Sequence, residues 1–156
     1  FIQKSGIATA MVGLLQAPPG TRLYDRLQRE NRLRGGISGD NVDGTTNIVP
    51  QMGIDILLDG YRSIMAHIYS PRHYYRRVKT FLKESRAPIV RVPMDVQRFL
   101  AFFRTSIRLG VIGKERFQFW RLLLWALVRK PRRLPTAITL AIYGYHFRRV
   151  SELIGL

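Results

Sequence analysis

His67, His73 and His146 are the only imidazoles in the 156-residue chain, and no two of them stand at the i, i+4 spacing that puts a pair of metal ligands on one helix face. His67 and His73 are separated by a Ser70-Pro71 break. Asp55 and Asp59 share one helix face. Carboxylates so placed can do acid–base work, although an exposed acidic face opposite Tyr61 and Met65 explains them equally well. Asp40-Asn41-Val42-Asp43-Gly44 has the look of a calcium loop. Aligning Gly44 with the obligatory glycine puts Gly39 and Pro50 where the first and last ligands belong, which excludes an EF-hand. Gly35-Gly36-Ile37-Ser38-Gly39 lacks the Lys-Ser/Thr that completes a phosphate loop. Cysteine is absent, so this span offers no disulfide, thiolate zinc site, iron–sulfur ligand or cysteine nucleophile. No catalytic residue and no metal set can be assigned. What remains is a long polar loop in which Asn41, Asp43 and Asn47 could hydrogen-bond a substrate or cofactor across an opening, or simply shape Asx turns in a linker.

Charge is the second source of chemistry. Lys and Arg number 26 against 10 Asp and Glu, a formal net charge of +16, while 46% of the residues are hydrophobic. Residues 1–60 are balanced, with six basic and six acidic groups; the whole excess falls in 61–156. Such a step suggests a functional boundary near residue 60. Tyr74-Tyr75-Arg76-Arg77 and the cluster Arg129, Lys130, Arg132, Arg133 set cations beside aromatics and prolines. Nucleic acid could use such a surface through phosphates and stacking, but no recognised nucleic-acid module accompanies it. An anionic membrane fits the run from Phe117 to Val128 better: Trp120 and Trp125 lie among leucines, and the basic cluster follows directly. The plain alternative is that these apolar faces pack on one another and on further protein.

The elements that must position these groups follow from spacing. Residues 1–5 read as a helix end closed by Gly6. Ile7 to Ala17, bounded by Gly6 and Pro18-Pro19-Gly20, reads as a buried strand. Thr21 suits an N-cap for a helix to about Leu33. Arg34 to Gln51 is loop, then Ile54, Leu57, Leu58, Tyr61, Met65 and Ile68 describe an amphipathic helix. Ser70-Pro71 restarts a helix to about Ser85. Ala87 to Pro93 is expected to be extended. Helices over about Asp95–Leu109 (core stripe Val96, Phe99, Leu100, Phe103, Ile107), Lys114–Arg129 and Pro135–Leu153 complete the chain. One strand–helix unit cannot form a sheet alone, and the chain opens on Phe1 in mid-pattern. It therefore reads as a piece of a longer protein.

The run Leu14-Leu15-Gln16-Ala17-Pro18-Pro19-Gly20-Thr21-Arg22-Leu23-Tyr24 resembles the late barrel strand, Pro-Gly-Thr turn and following helix of cobalamin-dependent radical S-adenosylmethionine enzymes. Gly39 to Asn47, Tyr61-Arg62-Ser63-Ile64-Met65, Ile68-Tyr69-Ser70-Pro71 with Tyr74-Tyr75-Arg76-Arg77, and Ile142-Tyr143-Gly144-Tyr145-His146-Phe147 are similar, in the same order, to the helical C-terminal domain of one branch that includes hopanoid methylases. The resemblance covers essentially the whole chain. It implies a parent enzyme holding S-adenosylmethionine, a [4Fe–4S] cluster and cobalamin, none of them bound by this span alone. It also implies that Leu15, Gln16 and Ala17 lie where a late strand passes the adenine of S-adenosylmethionine, at the strand end where barrel ligands sit.

The expected fold is mainly α, with a short βα remnant of a radical-enzyme barrel (1–36), a loop (37–53) and a basic helical domain of about five helices (54–156). The expected function is that of the C-terminal portion of a methylase acting on an unactivated carbon, with a lipid as one candidate substrate. The expected partners are the preceding barrel and cobalamin domain of the same chain and an anionic membrane face, in the cytoplasm or at the inner membrane surface. The competing class is a non-catalytic basic helical module that binds membrane or nucleic acid.

Overall fold

The computed structural model describes residues 1–40, 43–85, 100, 103–104 and 106–154, with side chains described to residue 152. The chain is mainly helical, as its periodicity predicts. It divides into two compact units, one of Phe1–Ala10 with Ile68–Val150, the other of Met11–His67 with Ser151–Leu156.

In the second of these units, helix α2 (Arg22–Arg29) begins at Thr21, whose hydroxyl accepts from the Tyr24 N–H at 3.2 Å. It stops short of Leu33 because Asn31 adopts a left-handed φ of 52°. Leu33 then pairs with Ile48 in an isolated antiparallel bridge. Arg34 N–H donates to Asn47 O at 2.7 Å and Val49 N–H to Arg32 O at 2.9 Å, so both ends of the long loop are tied together. Helix α3 (Ile54–Tyr69) follows, with Tyr61 and Met65 buried in this unit.

The strand expected over Ile7–Ala17 is not formed. Among the described residues there is no ladder, and no backbone–backbone hydrogen bond engages residues 7–17. The physical reason is the absence of a partner strand among those residues. Buried peptide groups must still be satisfied, and side chains do this instead. In the unit containing Met11–His67, Tyr61 Oη donates to Val12 O, Thr46 Oγ1 to Leu15 O, and Asn47 binds both sides of the Ala17 peptide. In the other unit, Tyr69 Oη donates to Ala10 O, and Arg77 donates to Ile7 O and Ala8 O.

The unit containing Ile68–Val150 is built on helix packing. Helix α1 (Ile2–Ser5) is closed by Gly6 at φ 69° and packs on α4 (Pro71–Glu84). Pro71 opens α4, as expected. Ser70 is its N-cap residue, but its Oγ lies 2.8 Å from His73 Nδ1 and makes no capping bond to the backbone. A π-helical turn (Arg108–Ile112) precedes α5 (Arg116–Arg129), a short 3-10 turn (Pro131–Arg133) and α6 (Leu134–Ile154). The expected segments Ala87–Pro93 and most of Asp95–Leu109, with Val96 and Phe99, lie outside the described residues. Leu100, Phe103 and Ile107, expected in a core stripe, are exposed instead. Within the π turn, Leu109 is the buried side chain.

The core of this unit joins Tyr69, Tyr74, Val78 and Leu82 to Phe119, Leu122, Ala126, Ala137 and Ala141. Tyr74 donates to Leu140 O at 2.7 Å, and Tyr69 stacks on Phe147 with ring centroids 5.3 Å apart. Gly144 lets α6 approach this closely: a Cβ there would stand 2.2 Å from the Tyr74 ring. The Tyr74-Tyr75-Arg76-Arg77 run is therefore not an exposed anion-binding patch, because Tyr74, Tyr75 and Arg77 are buried. Arg77 is 0% exposed, and its guanidinium meets Ile68 O at 2.8 Å and Gln3 Oε1 at 2.9 Å besides the carbonyls of Ile7 and Ala8. Its acceptors are neutral, and burial lowers its pKa from the ordinary value.

Candidate functional site

The residues flanking Ala17 form the most constructed polar arrangement in the unit containing Met11–His67. Exposure alternates along the segment: Met11, Gly13 and Leu15 face outward, while Val12, Leu14 and Gln16 are partly covered. Met11 and Leu15 are 72% and 68% exposed. At the segment's end Ala17 is fully buried. Its N–H donates to Asn47 Oδ1 at 2.8 Å, and its carbonyl accepts from Asn47 Nδ2 at the same distance. These two partners fix the orientation of the Asn47 amide.

Gln16 anchors the loop to the segment. Its Nε2 lies 3.0 Å from Ser38 Oγ and within 3.4 Å of Asp40 O, Thr45 O and Thr45 Oγ1. Asp43 Oδ1 accepts from the Thr45 N–H at 2.8 Å and from the Thr45 hydroxyl at 2.7 Å. Hydrogen bonding from Ser38, then from Thr45, holds the Asp43 carboxyl below its ordinary 3.8. Beside this network a cavity of about 340 Å³ is lined by Arg34, Thr45, Thr46, Ile48, Pro50 and Leu58 among others. The arrangement can hold a peptide rim rigidly and offer one apolar side chain, Leu15, to a neighbouring group. Among its described residues, the one carboxylate in the hydrogen-bond network, Asp43, is engaged by Thr45.

Of the residues the sequence singles out, Leu15 presents its side chain outward, Gln16 binds the loop, and Ala17 is enclosed. Asn47 is not a lid donor waiting for substrate. It is buried and committed to Ala17. Asp43 serves its own turn, and Asn41 lies outside the described residues. Asp59 pairs with Arg62 at 3.2 Å on an exposed helix face, which favours the plain reading of the Asp55–Asp59 spacing. Sequence reasoning missed the tyrosine and arginine tethers, Tyr61, Tyr69 and Arg77, since nothing in their spacing identifies which backbone they hold.

On the basic unit, α5 has two apolar faces. Phe119, Leu122, Leu123 and Ala126 are buried, while Phe117, Trp120, Leu124, Leu127 and Val128 are exposed. Trp120 Nε1 donates to Gly110 O at 2.9 Å. Trp125 lies beneath Lys79, with Nζ 5.0 Å from the ring centroid, and is half-buried. Arg129, Lys130 and Arg132 are exposed, whereas Arg133 Nη2 donates to Ser85 O at 2.5 Å. Among the described residues, no helix is long and apolar enough to cross a membrane.

Comparison with known proteins places the chain. It is 30% identical to an uncharacterised methyltransferase of Synechocystis over 99% of its own length, spanning 30% of that protein. It is 28% identical to the hopanoid C-2 methylase of Rhodopseudomonas palustris over 83% of its length, spanning 25% of that protein. No solved structure matches it. Residues 21–155 match a domain of unknown function, DUF4070. The chain belongs to this DUF4070 family, a C-terminal domain of cobalamin-type radical S-adenosylmethionine methylases.

Proposed function

We propose that the chain is the C-terminal part of an enzyme that methylates an unactivated carbon, and that residues 11–17 complete its catalytic barrel at the rim of the S-adenosylmethionine site. The observation that carries this reading is the alternation along 11–17. Met11 and Leu15 point outward with most of their apolar surface open, while the peptide at Ala17 is clamped by Asn47. A half-covered segment of period two has the pattern of a sheet strand, and large apolar side chains on its open face suit burial against neighbouring strands.

The donor set limits what this chain contributes. With no cysteine, it supplies no ligand to a [4Fe–4S] cluster, which the preceding part of the protein must hold. An exposed leucine at a strand end does suit the apolar face of an adenine. When bound, the cofactor set of S-adenosylmethionine, cluster and cobalamin supplies one-electron chemistry and a transferable methyl group. The residues here do the rest: Asn47 fixes the rim peptide, Leu15 offers the apolar contact, and Gln16 with Ser38 and Thr45 holds the loop over the opening. The relatives' names, an uncharacterised methyltransferase and a hopanoid C-2 methylase, support methylation as the reaction class and a hopanoid-type lipid as the substrate class.

The test uses the full-length protein, reconstituted anaerobically. Label from methyl-labelled S-adenosylmethionine should enter a lipid-extract acceptor, and Leu15→Asp should weaken S-adenosylmethionine binding by about tenfold or more, as expected for loss of one buried apolar contact of about 1.5–3 kcal/mol. Met11→Asp, further from the rim, should lower stability without changing cofactor affinity in the folded fraction. A full-length protein that tolerates both aspartates with unchanged stability and cofactor binding would refute the strand assignment. Failure of any label transfer from the intact enzyme would refute the reaction class.

A further inference from the structure

We propose that the outward face of α5 docks onto the surface of an anionic lipid bilayer, lying in the headgroup region with its axis along the membrane. The argument begins with the arc that the helix presents. Phe117, Leu124 and Val128 are 73%, 60% and 76% exposed, and Trp120 and Leu127 extend the same stripe. At 100° per residue these five positions fall within about a third of the helix circumference, opposite the buried Phe119, Leu122 and Ala126. The tip of the π turn, Val111 and Ile112, is exposed too, next to the Gly110 carbonyl that Trp120 holds. One helix thus carries a core face and a second apolar face, on which Trp120 packs against the Gly110 turn while Phe117, Leu124, Leu127 and Val128 stay open.

Charge complementarity identifies the occupant. From Arg116 to Arg133 the chain has six cations and no acid. Arg116 and Arg121 flank the apolar arc, and Arg129, Lys130 and Arg132 extend from its C-terminal end, all five exposed. Lys79 lies over Trp125, close enough to Lys83, Arg121 and Arg129 that these like charges, after desolvation, help lower its pKa. An apolar stripe bounded by cations with no ion pair among the described residues matches the layered chemistry of an anionic bilayer: phosphate at the rim, acyl chain beneath. A protein partner would need an equally acidic margin around an apolar centre, and a nucleic acid would leave five large apolar side chains in water.

The experiment is co-sedimentation of the full-length protein with large vesicles, either phosphatidylcholine alone or equal parts phosphatidylcholine and phosphatidylglycerol. Binding is read directly and does not depend on catalysis. The expected result is recovery on the anionic vesicles, weakened by salt, with little on the neutral ones. Leu124→Gln with Val128→Gln should reduce partitioning at least about tenfold, since each exposed side chain otherwise gains an apolar environment. Arg121→Gln, Arg129→Gln and Arg132→Gln together should remove the preference for anionic lipid. Equal recovery on both vesicle types would overturn the proposal. So would a loss of solubility or melting temperature in the double glutamine variant, which would show that this face is packed inside the intact protein. Salt-sensitive capture by an RNA or DNA oligonucleotide that survives the glutamine pair would overturn it in favour of nucleic acid.

Discussion

The clamp between Asn47 and Ala17 makes a sharp energetic prediction. Asn47 is 2% exposed and Ala17 is fully enclosed, so neither peptide group can turn to water when the amide is removed. Asn47→Ala leaves one buried N–H and one buried carbonyl without their 2.8 Å partners. A buried polar group stripped of its partner costs about 1–3 kcal/mol, so the pair should cost about 2–6 kcal/mol, a large fraction of a typical folding stability. Asn47→Asp is the more discriminating variant. Ionised, the new carboxylate keeps the bond from the Ala17 N–H but faces the Ala17 carbonyl oxygen with a negative charge. Protonated, it restores both bonds with the same shape. Burial raises the carboxyl's folded-state pKa above its unfolded value. Its contribution is therefore fully present below the unfolded pKa and is lost as pH rises through the folded one. Urea denaturation of the full-length protein, with wild type and Asn47→Ala measured at each pH, isolates this term. Stability of the Asn47→Asp variant should approach wild type on acidification, while that of Asn47→Ala keeps a constant deficit. A deficit below about 0.5 kcal/mol for Asn47→Ala, the range of ordinary surface substitutions, would refute the clamp. Parallel pH profiles for the two variants would refute its bidentate geometry.

Gly144→Ala would set a methyl 2.2 Å from the Tyr74 ring, so α6 must move off α4 or the ring must leave the Leu140 carbonyl; overpacking of this kind costs about 1–3 kcal/mol, read as a fall in thermal midpoint. Arg77→Lys should destabilise by about 1.5–3 kcal/mol, because one ammonium cannot reproduce the guanidinium fork that reaches Ile7 O, Ile68 O and Gln3 Oε1. Asp43 should titrate below 3.8, so the order it gives the loop is present above its unfolded pKa and lost as pH falls through the lower, folded one; the Thr45 amide shift in an NMR titration reports this, and a midpoint at or above 3.8 contradicts the turn.

The helices were legible because their signals are local. Thr21 announces α2, Pro71 opens α4, and the spacing of Tyr61, Met65 and Ile68 marks the buried stripe of α3. The fate of residues 7–17 was not legible, since a strand is defined by its neighbour and local pattern cannot say whether that neighbour lies within the span. The long loop showed the same limit. Asn47 has the residue type of a ligand-binding amide, and only a partner thirty residues earlier makes it a structural clamp. Arg77 misled for a related reason. Tyr74-Tyr75-Arg76-Arg77 looks like an exposed cationic patch, yet on a helix its members point in different directions, and Arg77 falls inward among carbonyls. The apolar run from Phe117 to Val128 was easy to find, but its division into a buried and an open face required the fold.

The cations at α4 and α5 provide a closing test because fold and docking should respond to salt with opposite signs. Lys79 of α4 lies near Lys83 and near Arg121 and Arg129 of α5; burial and then these like charges lower its pKa, and the repulsion opposes the packing of the two helices. A depressed Lys79 means that the folded state binds this proton less readily than the unfolded chain, so stability should rise with pH as it is released. Screening acts in the same direction. At physiological ionic strength the Debye length is about 8 Å, and raising salt further shortens the reach of the repulsion between these largely exposed groups. The thermal midpoint should therefore increase with sodium chloride, and Arg121→Gln with Arg129→Gln should flatten that dependence. Vesicle binding should weaken over the same series, because the same ions compete for lipid phosphate. A midpoint that falls with salt would mean that the cations are already neutralised by acidic groups within the protein, and the charge argument for an external anionic surface would fail with it.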